Sequence, residues 1–322
     1  MKNKTFLIVI TMLVIVSLIT ACDKETITAP AAVEDATVET AGVEPEAEEP
    51  AAPAEVAPEP SNEDPNALPP EPQPVSIPSA DGVTLEGYYY PAAVENAPLV
   101  VLMHWMMGDK SDWNEVAVWL QNRGQANPFP NPGDPAEFRW WDPSWFPTIP
   151  SEDSYAVLTF SYRDCLPFDQ GGCQSMDKAG RLADSYAVMR FARELEGIDP
   201  ARIVAVGSSI GADGAADACL DVNLEIPGTC KGSFSLSPGD WLGVSYVATI
   251  AQVGSLEDPF TAWCVADEEE YGICEAAQGA GHPDFYKPFR VPGGDHGNML
   301  LSPDLSPLPM QLLLDFLDEM LK

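Results

Sequence analysis

Basic residues and histidine are scarce in this chain. Against 50 Asp and Glu stand 16 Lys and Arg, a formal net charge of −34 over 322 residues. Nucleic-acid binding draws on basic patches that neutralise phosphates, and the sequence has none. The charge favours solubility and disfavours anionic partners. Histidine occurs three times, at His104, His282 and His296, and no Cys-x-x-Cys pair exists, so the spacing expected of a zinc site is missing. Residues 23 to 74 have almost no large apolar side chains and consist mainly of Pro, Ala and Glu. Such a stretch cannot bury enough surface to offset its chain entropy, while its like charges and prolines extend it. It reads as a disordered acidic tether.

One long apolar run exists outside any amphipathic pattern. Phe6 to Ile19 follows Lys2 and Lys4, giving the short positive region and apolar core of an export signal. The run lies near the lower limit for spanning a bilayer, so an uncleaved membrane helix is the competing reading. Its ending, Ile19-Thr20-Ala21-Cys22, resembles the bacterial lipobox, and that resemblance implies lipidation of Cys22 and an extracytoplasmic, membrane-attached lipoprotein. The other cysteines agree with export. Cys165/Cys173, Cys219/Cys230 and Cys264/Cys274 fall into neighbouring pairs, each able to close a short loop in an oxidising compartment.

From about residue 75 to 322 the pattern suits one α/β domain. A hairpin is expected around Asp81-Gly82, then a buried strand ending near Met103 and a helix through Trp113, Val116, Ala117 and Leu120. SYAVLTF and ARIVAVG read as strands, with a helix between them from about Asp177 to Gly197 whose apolar stripe includes Ile198. A Gly/Ala-rich helix follows. GSFSLSPG, PFTAWCVADEEE and KPFRVPGG give three further strands, and PMQLLLDFLDEMLK a closing amphipathic helix. Repeated β-α-β units imply a mostly parallel sheet flanked by helices on both faces, with any site at the carboxyl ends of the strands. Between the first helix and SYAVLTF lies an insertion, about 125–153, dense in proline and aromatics. Phe138, Trp140, Trp141, Trp145 and Phe146 could line a pocket, or could pack on one another as a small core; the two readings are compatible.

GSSIG, residues 207–211, sits where the strand Arg202–Val206 ends and a helix begins. In that context G-x-S-x-G marks a nucleophile on a tight turn, with Gly207 and Gly211 supplying the necessary small residues and Ser209 the hydroxyl. A serine needs a base to take its proton. His296 lies after the last strand; His104 comes too early in the chain and His282 sits in a polar loop. A carboxylate should orient the imidazole. Asp267, Glu268, Glu269 and Glu270 all follow the strand ending at Ala266, and spacing favours Glu269, then Asp267, with Asp240 an outside alternative. The backbone N–H of Ile210 and one from His104-Trp105-Met106-Met107-Gly108, by position that of Met106, would complete an oxyanion hole.

GSSIG, the carboxylate-rich loop, GGDHG and HWMMG, in this order, resemble the α/β-hydrolase superfamily, in particular its dienelactone-hydrolase-like and small serine esterase branches. The resemblance spans essentially all of 75–322. It implies an α/β-hydrolase fold and cleavage of a small-molecule carboxylic ester through an acyl-enzyme on Ser209, without metal or organic cofactor. A peptidase or acyltransferase using the same residues, or a non-catalytic surface binding protein, are the alternatives. The family commonly has His-Gly where this chain has His104-Trp105, which bears on the shape of the oxyanion loop.

Overall fold

The computed structural model describes residues 63–322. The signal, the lipobox Cys22 and most of the acidic segment lie outside the described residues. Eight strands form one sheet in the order β1-β2-β4-β3-β5-β6-β7-β8. They are β1 (Gln73–Pro78), β2 (Thr84–Tyr90), β3 (Ala97–Met103), β4 (Ala156–Phe160), β5 (Ile198–Ser208), β6 (Cys230–Leu236), β7 (Thr261–Ala266) and β8 (Tyr286–Arg290). The β1/β2 hairpin turns through Asp81-Gly82, where Gly82 has φ +88°, and β2 pairs antiparallel with both β1 and β4. All remaining pairings are parallel.

The parallel strands are buried on both faces, so their side chains divide by alternation. Leu99, Val101 and Met103 of β3, with Ile203 and Ala205 of β5, enter one core layer. That layer is covered by α2 (Lys178–Ala192), α3 (Ile210–Glu225), α4 (Tyr246–Val253) and α5 (Tyr271–Ala280). Val100, Leu102, Val204 and Val206 point the other way, towards α1 (Asn114–Gln121) and α6 (Pro309–Leu321). Trp140 and Trp141 of the 125–153 insertion are 1% exposed and belong to that second layer, so for these two indoles the small-core reading describes the structure. Three disulfides join Cys165 to Cys173, Cys219 to Cys230 and Cys264 to Cys274, the neighbour pairs expected from the sequence. Among the described residues no helix is long and apolar enough to cross a membrane.

Two boundaries differ from the sequence expectation. The helix expected to reach Gly197 ends at Ala192, and Ile198 is instead the first residue of β5. Its place on the helical stripe reflects burial at the bottom of the sheet, which a strand supplies equally well. The domain also begins earlier than residue 75. Arg123, whose side chain is 2% exposed, holds Glu63 with two hydrogen bonds of 2.8 Å and donates to the carbonyl of Leu68 at 2.6 Å. Gln121 donates to the carbonyls of Pro70 and Pro91 at 2.8 and 2.7 Å. Residues 63–72 are thus fastened by two polar side chains at the end of α1, together with Leu68, which packs against the core, and a bond from Asp64 N–H to the Ala93 carbonyl at 2.9 Å.

Deleting residues 1–72 should therefore destabilise the domain relative to deleting 1–62, although both leave β1 whole. Stripping the acceptors from a buried guanidinium should lower the thermal midpoint by on the order of 5 °C. Equal midpoints in parallel thermal unfolding experiments would contradict this reading of the 63–72 segment.

Candidate active site

The β5–α3 junction builds the site. The main chain passes from Ser208, the last residue of β5, straight into Ile210, the first of α3, leaving one residue to make the turn. That residue, Ser209, has φ +54° and ψ −115°. A non-glycine residue in this region stores on the order of 1–3 kcal/mol of strain. The strain is tolerated because the surroundings close in. A Cβ added at Gly207 would lie 1.8 Å from the carbonyl oxygen of Gly211, and one added at Gly211 would lie 2.2 Å from that of Met103. The two glycines flanking the serine therefore allow α3 to start directly against β3 and β5. Ser208 is fully buried in the strand, and Ser209, 5% exposed, stands at the carboxyl edge of the sheet.

His296 meets Ser209 there. Its Nε2 lies 2.7 Å from Ser209 Oγ, and its Nδ1 lies 2.6 Å from Glu270 Oε1. A carboxylate only accepts, so Nδ1–H donates to Glu270 and Nε2 is left to accept from the serine hydroxyl. The carboxylate at His296 is thus Glu270, where spacing favoured Glu269 and then Asp267. The turn after β7 explains the difference. Asp267 is the bracket: its Oδ1 accepts from Glu270 N–H at 2.8 Å and its carbonyl from Tyr271 N–H at 3.0 Å. Glu268 points outwards to Arg290 at 3.0 Å, Glu269 is exposed, and Glu270 emerges at the start of α5 facing the histidine. Asp240 is exposed, and its carbonyl accepts from Lys178. His282 packs on Phe285 beside the exposed Asp284, away from the serine.

The loop after β3 starts against this turn, with the carbonyls of Met103 and His104 beside Gly211. Among the described residues neither the N–H of Ile210 nor that of Met106 donates to a protein acceptor. His104 fixes the second of these. It is fully buried, its Nε2 accepts from Tyr162 N–H at 2.9 Å, and its Nδ1–H donates to the Trp105 carbonyl at 2.6 Å. That carbonyl belongs to the peptide whose N–H is Met106, and in a trans peptide the two point in opposite directions. The next carbonyl, of Met106, accepts from Cys173 N–H at 2.9 Å, tying the loop to the Cys165–Cys173 disulfide. Trp105 is 2% exposed. It lies edge-on to Trp140 at 5.5 Å and parallel to Phe168, while its Nε1–H donates to Asp112 at 2.8 Å. Its indole therefore packs into the aromatic cluster that the insertion supplies, while its edge borders the site: a Cβ added at Gly297 would meet Trp105 Cε3 at 3.1 Å and Ser209 Cβ at 3.7 Å.

Two further groups, not singled out from the sequence, complete the frame. Ser237, which has φ +53°, accepts on its Oγ from Gly297 N–H at 2.9 Å and so holds the chain beside His296. Asp213, one turn into α3 from the serine, is buried and accepts from the N–H groups of Gly239 and Trp241 at 2.7 and 2.6 Å. Burial pushes its carboxyl up to about 8, against those donors, which favour the charged form. A buried acid in an otherwise Gly/Ala-rich helix was the available signal for it.

No family model matches the chain, and no curated sequence does. Solved structures do share its fold. An esterase of Pyrobaculum calidifontis superposes with a TM-score of 0.52 at 14% identity, covering 79% of this chain and 87% of that one. An esterase of Pyrococcus furiosus gives 0.51 at 14% identity, over 78% and 92% of the two chains. A dienelactone hydrolase of Anabaena variabilis gives 0.51 at 12% identity, over 79% and 99%.

The buried imidazole gives a test within the site. Burial lowers the His104 pKa from 6.5 to about 4. Because the folded value is depressed below that of the unfolded chain, the folded state binds fewer protons between those limits. The stability His104 contributes is present above pH 6.5 and is lost as pH falls towards 4. In nitrogen-15 NMR, the His104 ring should remain the neutral Nδ1–H tautomer at pH 5.5; protonation with a midpoint near 6.5 would contradict the assignment. Strand order, parallel pairing, two-sided helical cover and these neighbours agree: the chain has the α/β-hydrolase fold.

Proposed function

We propose that the protein is an extracytoplasmic serine hydrolase that cleaves carboxylic esters through an acyl-enzyme on Ser209. The observation that carries this reading is the hydrogen-bonded chain from Ser209 Oγ through His296 to Glu270, at a strained strand-to-helix turn. Its esterase and dienelactone hydrolase neighbours in fold are compatible with it but do not by themselves establish an activity.

In the proposed reaction His296 Nε2 takes the proton as Ser209 Oγ attacks the ester carbonyl. Glu270 keeps Nδ1–H directed at itself and stabilises the imidazolium that forms. The oxygen of the tetrahedral intermediate accepts from the N–H of Ile210, at the positive end of α3, and from that of Met106. His296 returns the proton to the departing alcohol. It then draws a proton from water, which attacks the acyl-serine and releases the acid. The three disulfides support placement beyond the cytoplasm. Lipid attachment at Cys22 rests on the lipobox resemblance of the sequence and would hold the enzyme at a membrane.

A fluorophosphonate probe should label the domain beginning at residue 63, and the label should be absent from Ser209→Ala. The wild-type domain should hydrolyse p-nitrophenyl acetate; no labelling and no turnover would favour a binding protein. Glu270→Gln should lower kcat by on the order of 10²–10⁴-fold, since a lost orienting carboxylate leaves the wrong tautomer accessible. Glu269→Gln should stay within about threefold of wild type. A larger loss at Glu269 than at Glu270 would refute the assignment of the acid.

A further inference from the structure

The loop after β6 places an aromatic ring beside the proposed base. Trp241 meets the His296 ring edge-on with centroids 5.7 Å apart, yet it is 41% exposed. An exposed tryptophan usually adjusts to its surroundings; this one is fixed twice. Its own Nε1–H donates to the carbonyl of Ser237 at 3.2 Å, the residue whose hydroxyl holds the backbone at Gly297. Its backbone N–H donates to Asp213, which also takes the N–H of Gly239 and, at 3.4 Å, that of Leu242. A buried carboxyl group receiving three N–H groups of one loop is a costly way to hold that loop unless it must keep its shape.

Met107, next to the proposed oxyanion donor, is 52% exposed. Large apolar side chains left exposed beside proposed reacting groups suit a surface that a ligand covers.

We propose that Trp241 is a specificity-determining residue that packs against an alkyl or aryl group of the ester, and that Asp213 is the positioning residue that holds it there. This rests on the serine-hydrolase reading. The substrate class is then an ester with a substantial apolar portion, packed against Trp241 on the His296 side. Ester carbonyl and scissile oxygen remain between Ser209 and the two backbone donors, and the indole excludes water from the flank of His296.

The test compares kcat/KM for p-nitrophenyl hexanoate and acetate in wild type, Trp241→Ala, Trp241→Phe and Asp213→Asn, with fluorophosphonate labelling measured alongside. Burial of each methylene can be worth roughly fourfold, so wild type should prefer the hexanoate by tenfold or more. Trp241→Ala should lower that preference at least tenfold, mainly through a higher KM for the hexanoate. Trp241→Phe should restore most of it, and Asp213→Asn should lower it in the same direction. A preference within twofold of wild type in Trp241→Ala overturns the proposal. If Trp241→Ala lowers it and a folded Asp213→Asn does not, the positioning role is overturned. Wild type that neither labels nor turns over either ester fails the serine-hydrolase reading itself, whereas wild type that labels at Ser209 without preferring the hexanoate fails this inference alone.

Discussion

The close approach of two backbones at Gly207 and Gly211 is the constraint on which the site depends. With any side chain at either position, α3 could not begin one residue after β5 without striking the Gly211 or Met103 carbonyl. That approach confines Ser209 to a backbone region most residues avoid, and the confinement lifts its side chain out of the strand. It also leaves the N–H of Ile210 at the head of a sixteen-residue helix without a helical acceptor. The proposed nucleophile and the proposed oxyanion donor are therefore two consequences of one steric arrangement.

Around that fixed turn, buried polar side chains set the loops from the neighbouring strands. His104 holds the loop after β3 by the carbonyl of the Trp105–Met106 peptide, and Asp213 and Ser237 hold the loop after β6 and the chain beside His296. Asp267 shapes the turn after β7 so that Glu270 faces inwards. Each such group gives up hydration and is retained with directional partners. Trp105 follows the same logic with apolar means. Its indole is locked between Trp140, Phe168 and Asp112. The insertion that carries Trp140 thereby buttresses the loop it packs against.

Much of this was legible in the sequence, for reasons that also mark where legibility stopped. Strand, small turn and helix around Ser209 could be read because each leaves a local pattern, and with three histidines the choice of His296 followed from chain order. The acid could not be chosen in the same way. Four successive carboxylates share one composition, and what separates Glu270 from Glu269 is the direction of a turn set by a side chain-to-backbone bond from Asp267. Ile198 satisfied a helical stripe and a strand equally, since both bury it. Residues 63–72 resemble a tether in composition because one leucine, Leu68, packs on the core and the polar attachment comes from Arg123 and Gln121, some fifty residues away in the chain. Long-range polar contacts of that kind leave no periodic signature.

The central claim is that Ser209 carries the acyl group between the two halves of the reaction. It is tested most directly by mixing the domain with excess p-nitrophenyl acetate, quenching in acid within the first turnover, and mapping the acetylated peptide by tandem mass spectrometry. The account predicts a burst of nitrophenol approaching the enzyme concentration, with acetate on Ser209 and Ser208 unmodified. A burst with the acetyl group on another residue, or with none on Ser209, would contradict it.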